Sequence, residues 1–215
     1  MDTVIIGAGG HGKVVLDIVR AHGQYNPVGF LDADPALAGR PVTGLTVLGP
    51  VNLLPRLRQQ GVRCGIVAIG DSRSRLSYAK ILADHGFELI SAVHPTAYVA
   101  PSAKIGRNTV VAAGAVVGAE AVLGDSVIVN SNAVVEHECE VAAGSHVCPG
   151  ALLAGRVKVD AGAFVGLGAK VIQCLCVGAG ATVGAGAVVI EDVPAGATVV
   201  GVPARLLRAA RQPAA

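Results

Sequence analysis

Large rings and long apolar runs are what this chain has least of. Among its 215 residues there are three Phe, three Tyr, one Met and no Trp. A core built from wide, ring-filled layers is therefore excluded, even though 52% of the residues are apolar. Glycines interrupt every apolar stretch before it reaches the roughly 18 residues that a membrane span needs. Charge of one sign is also missing. Seventeen Lys and Arg against fifteen Asp and Glu leave a net +2, with no basic run and no interleaving of basic and aromatic residues. Such a chain offers no long-range field for nucleic acid or an acidic membrane surface. The amino terminus runs at once into an apolar strand, without the basic start and long apolar stretch of a signal peptide. Five cysteines, an odd number without framework spacing, fit a reducing compartment better than a disulfide scaffold. The expectation is a soluble cytoplasmic protein.

What is plentiful is Val, Ala and Gly, and their arrangement is periodic. Stepping by six from Val93 gives Val99, Ile105, Val111, Val117, Leu123, Val129, Val135, Val141, Val147, Leu153, Val159, Val165, Val171, Val177, Val183 and Val189. All seventeen positions are Val, Ile or Leu. Four residues after each, the side chain is usually small, as at Ala97, Ala103, Thr109, Ala115, Ala121, Ala133, Ser145, Ala151, Ala163, Ala169, Ala181 and Ala187. A period of six fits neither a helix of 3.6 residues per turn nor an alternating strand. It fits a coil of short strands joined by tight bends, with the aliphatic residue inside and the small one at the turn. Glycines just before the small residue, such as Gly114, Gly144, Gly162 and Gly180, supply a positive φ at low steric cost. Stacked coils would then pair backbone to backbone at about 4.8 Å.

The first 90 residues lack this period and read as alternating strands and helices. Val4 to Ile6 is expected as a strand, followed by a glycine-rich turn and an apolar helix through Val14, Val15, Ile18 and Val19. Further strands are expected at 28–31 and 66–69, a helix at 72–85, and a lead-in strand at 89–93. At the turn, Gly7-x-Gly9-x-x-Gly12 matches the dinucleotide fingerprint, with Asp32 twenty residues beyond Gly12. The same stretch matches most of a P-loop, but Val14 stands where Ser or Thr should ligate magnesium. What both motifs share is a helix start whose N–H groups hold a phosphate, and an acidic residue after the next strand that accepts bonds from a ribose or base. Three segments are therefore expected: an α/β nucleotide-binding domain over 1–92, the coil over 93–200, and a tail or helix over 201–215.

This arrangement resembles the sialic-acid O-acetyltransferase and nucleotide-amino-sugar N-acetyltransferase family, within the hexapeptide-repeat acyltransferases. The residues that carry the likeness are Gly-Ala-Gly-Gly-His-Gly-Lys (7–13), His94-Pro95, Glu-His-Glu-Cys (136–139), Gly-Ser-His (144–146) and Gly-Val-Pro-Ala-Arg (201–205). The resemblance implies a left-handed parallel β-helix with three hexads per 18-residue coil, a homotrimer, and acetyl-CoA as cosubstrate. It implies direct acetyl transfer to a nucleotide-linked 4-amino-4,6-dideoxy sugar. His137 would be the general base, Glu138 would orient it, His146 would position the acetyl carbonyl, and the Gly155 N–H would steady the oxyanion. Gly10, His11, Gly12, Lys13 and Asp32 would hold the nucleotide. Gly155, Gly166, Gly168, Gly184 and Arg205 would line the coenzyme groove. No metal is expected.

Spacing adds two points. His137 and His146 differ by nine residues, half a coil, so one chain sets them on opposite sides of the prism and a shared site would need two subunits. Arg156, where relatives usually carry Asn, lies 18 residues from Glu138 and would stack on that carboxylate, in competition with His137. O-acetylation of a sialic-acid-like sugar shares the same motifs. A zinc hydratase on this coil would need three ligating His, and only His94, His137 and His146 lie in or beside the repeat. A non-catalytic sugar-nucleotide-binding scaffold would tolerate loss of His137.

Overall fold

The computed structural model describes residues 1–207. Its amino-terminal part is a six-stranded sheet in the order β3-β4-β2-β1-β5-β6. The strands are β1 (Asp2–Ile6), β2 (Asn26–Leu31), β3 (Pro41–Val42), β4 (Leu45–Gly49), β5 (Cys64–Val67) and β6 (Glu88–Leu89). Only the β3–β4 pair is antiparallel. Three helices complete this part, α1 (Gly10–His22), α2 (Leu54–Gln59) and α3 (Ser72–Asp84). The chain builds outward from β1 through β2 to β4, then returns to place β5 on the other side of β1. Ligands of open α/β sheets bind at such a reversal, beyond the carboxyl ends of the strands.

Strand β1 is buried almost throughout, and α1 turns Val15, Leu16, Ile18 and Val19 inward. The same α1 stripe packs with Ala92, Val110, Ala112 and Ile128 of the coil in one apolar cluster, so the two parts share a core. The expected lead-in strand at 89–93 is two elements. Glu88–Leu89 closes the first sheet and Ala92–Val93 opens the coil. The β3–β4 hairpin and α2 had no signal strong enough to be read from sequence.

From Ala92 onward the chain is a parallel β-helix with three faces. The first face carries the strands that start at Ala92, Val110, Ile128, His146, Phe164, Thr182 and Thr198. The second runs from Tyr98–Val99 to Val188–Val189, and the third from Lys104–Ile105 to Cys176–Val177. Strands pair with those 18 residues on, as in Val129↔Val147 and Val135↔Leu153, until the last rung, where Val183 pairs with Val199, 16 residues on. The period-six aliphatics from Val111 to Val189 fill the interior as one cluster.

Every sixth residue from 108 to 186 has positive φ. Half of these are the glycines foreseen from the repeat. The others are Asn108, Glu120, Ser126, Asn132, Glu138, Arg156 and Cys174, at φ values between 54° and 62°. A side chain other than Gly in this region costs roughly 1 kcal/mol, so each of these positions asks for a reason.

The tail departs from expectation. Arg205–Leu206 forms a short antiparallel strand against Thr198–Val200, not the start of a helix. The rest of the expected tail or helix, beyond residue 207, lies outside the described residues. Among the described residues no helix is long and apolar enough to cross a membrane.

Candidate active site

The glycine-rich turn shapes a crevice of about 300 Å³ between the ends of β1, β2 and β5. Its lining includes Gly9, Gly10, His11, Asp32, Gly70 and Tyr78. A side chain on Gly7 would strike the Ala68 carbonyl, and one on Gly12 would strike Gly7 itself, so the turn closes only with glycine at both places. Asp32 fastens the turn from beside it. Its Oδ2 accepts from the Ala8 N–H at 2.8 Å and its Oδ1 from the Asp34 N–H at 3.0 Å. Both carboxylate oxygens are thus committed to the backbone, each with a lone pair left to offer. His11 enters the crevice with its Nε2 buried and unpartnered. Burial, and then the nearby charge of Arg75, lower its pKa to about 4, so it is a neutral imidazole. Lys13 is exposed on α1 and does not line this crevice, unlike Gly10 and His11.

On the coil, His137 sits at the edge between the second and third faces, opposite the face on which α1 packs. Its Nδ1 lies 3.0 Å from Glu138 Oε2. One rung along, Arg156 Nε donates to that same oxygen at 2.9 Å. The carboxyl of Glu138 is held below the usual carboxylate range by the bond with His137 first and that with Arg156 second. Glu138 and Arg156 both occupy the positive-φ turn position that glycine fills elsewhere. The arrangement around His137 is the reason for non-glycine residues there.

Gly155 stacks under the imidazole. A Cβ there would stand 2.5 Å from Cε1 of His137. Its N–H meets no backbone acceptor among the described residues, while the neighbouring Ala154 and Arg156 N–H groups are both taken. A basic nitrogen with an uncommitted backbone donor one rung away can serve proton abstraction and oxyanion stabilisation together.

His146 lies elsewhere, projecting from the first face. Ser131 N–H donates to Asn130 Oδ1 at 2.8 Å, which turns the Asn130 amide nitrogen towards His146 Nε2 at 3.1 Å. With Nε2 accepting, Nδ1 carries the proton, and it is buried and unpartnered. Phe164 stacks edge-on at a centroid distance of 5.3 Å. Burial first, then Arg75 and His11, lower the pKa of His146 to about 4. The ring lines a cavity of about 660 Å³ between α3 and the first face, with Asp71, Arg73, Gly144 and Phe164. Gly70 lines both this cavity and the crevice. One chain therefore brings His146 near the crevice and leaves His137 on the far edge.

The coenzyme residues also divide. Gly166, Gly168 and Gly184 lie on the edge between the first and second faces. Gly166 and Gly184 have no room for a side chain because the next rung fills the space, Val183 and Gly184 against one and Val200 against the other. Their smallness is explained by stacking, and only Gly168 of the three faces open space. Arg205, on the short strand that ends the first-face sheet, reaches to 4.0 Å from Glu191, which lies on the edge of His137 three rungs beyond it. Among the described residues no group of three or more His, Cys, Asp or Glu could hold a metal ion. Cys139 is buried with its thiol donating to the Ala154 carbonyl at 3.1 Å, a poor position for a nucleophile.

The PglD N-terminal domain family matches residues 2–82. A GDP-perosamine N-acetyltransferase from Caulobacter crescentus, solved as a histidine-to-alanine mutant with CoA and GDP-perosamine, is 42% identical. It aligns over 97% of this chain and 98% of its own, with a TM-score of 0.94. The acetyltransferase domain of PglB from Neisseria gonorrhoeae in complex with acetyl coenzyme A is 42% identical over 96% of this chain and 98% of its own, with a TM-score of 0.90. WeeI from Acinetobacter baumannii is 27% identical over 96% and 100%, with a TM-score of 0.85. A glycine-rich α/β layer joined to a hexapeptide coil, with identity of this order over nearly the whole length, places the chain in the family of sugar N-acetyltransferases with a PglD-type amino-terminal domain.

Proposed function

We propose that this protein transfers acetyl from acetyl-CoA to the amine of a nucleotide-linked 4-amino-4,6-dideoxy sugar, directly and without an acetyl-enzyme. The observation that carries the reading is His137 held by Glu138 above the Gly155 backbone. Its Nε2 takes a proton from the attacking amine, Glu138 keeps Nδ1–H pointed away, and the Gly155 N–H meets the charge that develops on the acetyl oxygen. His146 helps position the acetyl carbonyl, its partnerless Nδ1–H coming into reach only when the ring turns out of its buried setting. The crevice lined by Gly10, His11 and Asp32, with Gly12 closing the turn behind it, receives the nucleotide.

The working unit in this reading is a homotrimer. Leu152, Leu167, Ile172 and Ile190 leave an exposed apolar band on the second face and its two bordering edges. A copy seated there would bring the His137 edge of one chain to the first face of another, where His146 waits. Acetyl-CoA and the sugar nucleotide place this work in the cytoplasm. Residues 1–92 hold the acceptor, 93–200 carry the transfer, and Arg205 meets coenzyme phosphates.

The test is free-thiol release from acetyl-CoA by wild type and His137→Ala. GDP-perosamine heads the acceptor panel, because a relative's structure holds it. UDP- and dTDP-linked amino sugars and sialic acid follow. Acceptor-dependent release that falls by about 10² or more in the variant is expected for a lost general base. Equal release by the two proteins would overturn the assignment of His137, and release with sialic acid alone would move the reaction to oxygen.

A further inference from the structure

The join between the α/β layer and the coil is mostly apolar, yet at its centre lies a fully buried cation. Arg75 of α3 has 0% exposure. Its Nε donates to Ser126 O at 2.8 Å, Nη1 to Ile69 O at 2.9 Å and Gly70 O at 2.6 Å, and Nη2 to Gly144 O at 2.6 Å and Ser145 O at 3.5 Å. A guanidinium has five N–H donors in a rigid fork, and here each has a carbonyl. None of the partners is a carboxylate. Burial lowers the Arg75 pKa to about 10, which still leaves it charged.

Asp71, just ahead of α3, eases the charge through space without bonding to it, and a buried charge held only by carbonyls is a poor way to gain stability, since apolar groups of the same volume generally do as well or better. What the fork supplies is direction. Apolar contacts between α1 and the first face resist separation but not sliding. The five bonds run to two different places. Ile69 and Gly70 line the nucleotide crevice, while Gly144 and Ser145 are the coil turn leading into His146 and Ser126 is the matching turn one rung earlier. A second buried link runs in parallel: Asn108 Oδ1 accepts from Val67 N–H at 2.7 Å and its Nδ2 donates to Ser126 Oγ at 2.9 Å. Asn108, Ser126 and Gly144 are successive rungs of one edge, all at positive φ. Gly144 also admits α3 itself, because a Cβ there would strike Leu76 and Ser72.

We propose that Arg75 is a positioning residue for acetyl transfer, fixing the crevice wall at Ile69–Gly70 against the coil turn at Gly144–Ser145 so that the sugar end of a bound nucleotide meets His146 in one orientation. This rests on the function proposed above. The cation also faces His11 and His146, and both imidazoles are driven towards the neutral form partly by its charge. Asp71 at the cap of α3, Arg73 within it and Asp32 beyond β2 are the other charged groups lining the two cavities.

The experiment compares full-length wild type, Arg75→Met and Arg75→Lys. Met keeps the stem and removes every donor, whereas Lys keeps the charge and loses the fork. Misplacement of a bound substrate by about 1 Å costs on the order of 10² in rate, and kcat with the sugar nucleotide is expected to fall by that factor in both variants. KM for acetyl-CoA should stay within about 2-fold, and the affinity for nucleoside diphosphate alone, read by calorimetry, within about 3-fold, because the glycine turn and Asp32 are untouched. Histidine NMR titration should show His11 and His146 moving up in Arg75→Met and staying near wild type in Arg75→Lys. A folded variant with wild-type kcat would overturn the inference. So would a uniform loss of kcat, coenzyme affinity and nucleotide affinity together, which marks a merely structural role. Should the Met protein not fold, the Lys variant decides alone on the same split. Wild type inactive with every acceptor would defeat the functional reading itself, whereas an active wild type with unaffected variants defeats only this step.

Discussion

Gly155→Ala tests the reaction centre with one methyl group. The glycine φ is not in the left-handed region, so alanine adopts the backbone without strain. The added Cβ would lie 2.5 Å from His137 Cε1 and 3.1 Å from Cδ2. Carbon atoms rest at about 3.5 Å or more, so the ring must move by roughly 1 Å. His137 is half exposed, its side chain at 54%, and it has solvent to move into. The coil need not deform. Outward displacement stretches the 3.0 Å bond to Glu138 and takes Nε2 off the line above the Gly155 N–H. A misplacement of this size costs on the order of 10² in kcat. The melting temperature and KM for the sugar nucleotide should change little. Initial rates of thiol release at saturating acetyl-CoA, with melting curves as control, give the answer. A folded Gly155→Ala protein within about 3-fold of wild-type kcat would show that His137 does not act from this position.

Three further outcomes are expected. Arg156→Asn frees Glu138 Oε2 for His137 alone, and kcat should rise by about 2- to 5-fold, the scale on which exposed ion pairs compete; Arg156→Lys is the control, and a fall in kcat would refute the competition. The depressed histidines make stability depend on pH. Between about 6.5 and about 4 the unfolded chain binds protons at His11 and His146 that the native protein does not, so stability is full above that window and is lost as pH falls through it. The loss is at most on the order of 3 kcal/mol per histidine; melting from pH 7.5 to 4.5 should decline steeply, with a shallower decline in His146→Asn, and a flat wild-type profile would count against it. Cys139→Ser should keep most of the wild-type kcat, whereas its loss, with an acetyl adduct seen by mass spectrometry after rapid quenching, would establish a covalent step.

The coil was legible in the sequence because one geometric rule governs each position of the hexad. Val129 and Val147 could be assigned to the interior without knowing anything about residues 18 away, since every rung repeats the demand. The contact of Arg156 with Glu138 follows from the same counting. The join at Arg75 was not legible. Its partners are main-chain carbonyls at Ile69, Gly70, Ser126, Gly144 and Ser145, and carbonyls leave no trace in residue identity. The setting of Lys13 was not legible for a related reason. The motif marks the turn, but whether a side chain after it faces the crevice depends on helix phase, and α1 turns Lys13 to solvent. The positive φ at Glu138 and Arg156 had a signal that could have been read, since both fall at the turn position filled by glycine at 144, 150, 162 and 168.

That turn position explains how a repetitive scaffold can hold a reaction centre. Along the His137 edge, residues 137, 155, 173 and 191 follow one another at about 4.8 Å. Glycine at every turn would stack without strain and carry no chemistry. Placing Glu138 in a left-handed turn costs roughly 1 kcal/mol, and it puts the carboxylate beside the ring of the preceding residue, a contact that neighbours in an extended strand do not make because their side chains point to opposite faces. Three rungs separate His137 from the Glu191–Arg205 pair, a span of about 14 Å at that spacing. In the proposed reaction, His137 as base at one end of this edge and Arg205 as cation at the other would suit an extended thioester whose reactive carbonyl and phosphates must be held apart. The coil sets that separation by counting residues, so inserting one 18-residue rung between Gly155 and Glu191 should weaken acetyl-CoA binding and leave the nucleotide crevice as it was.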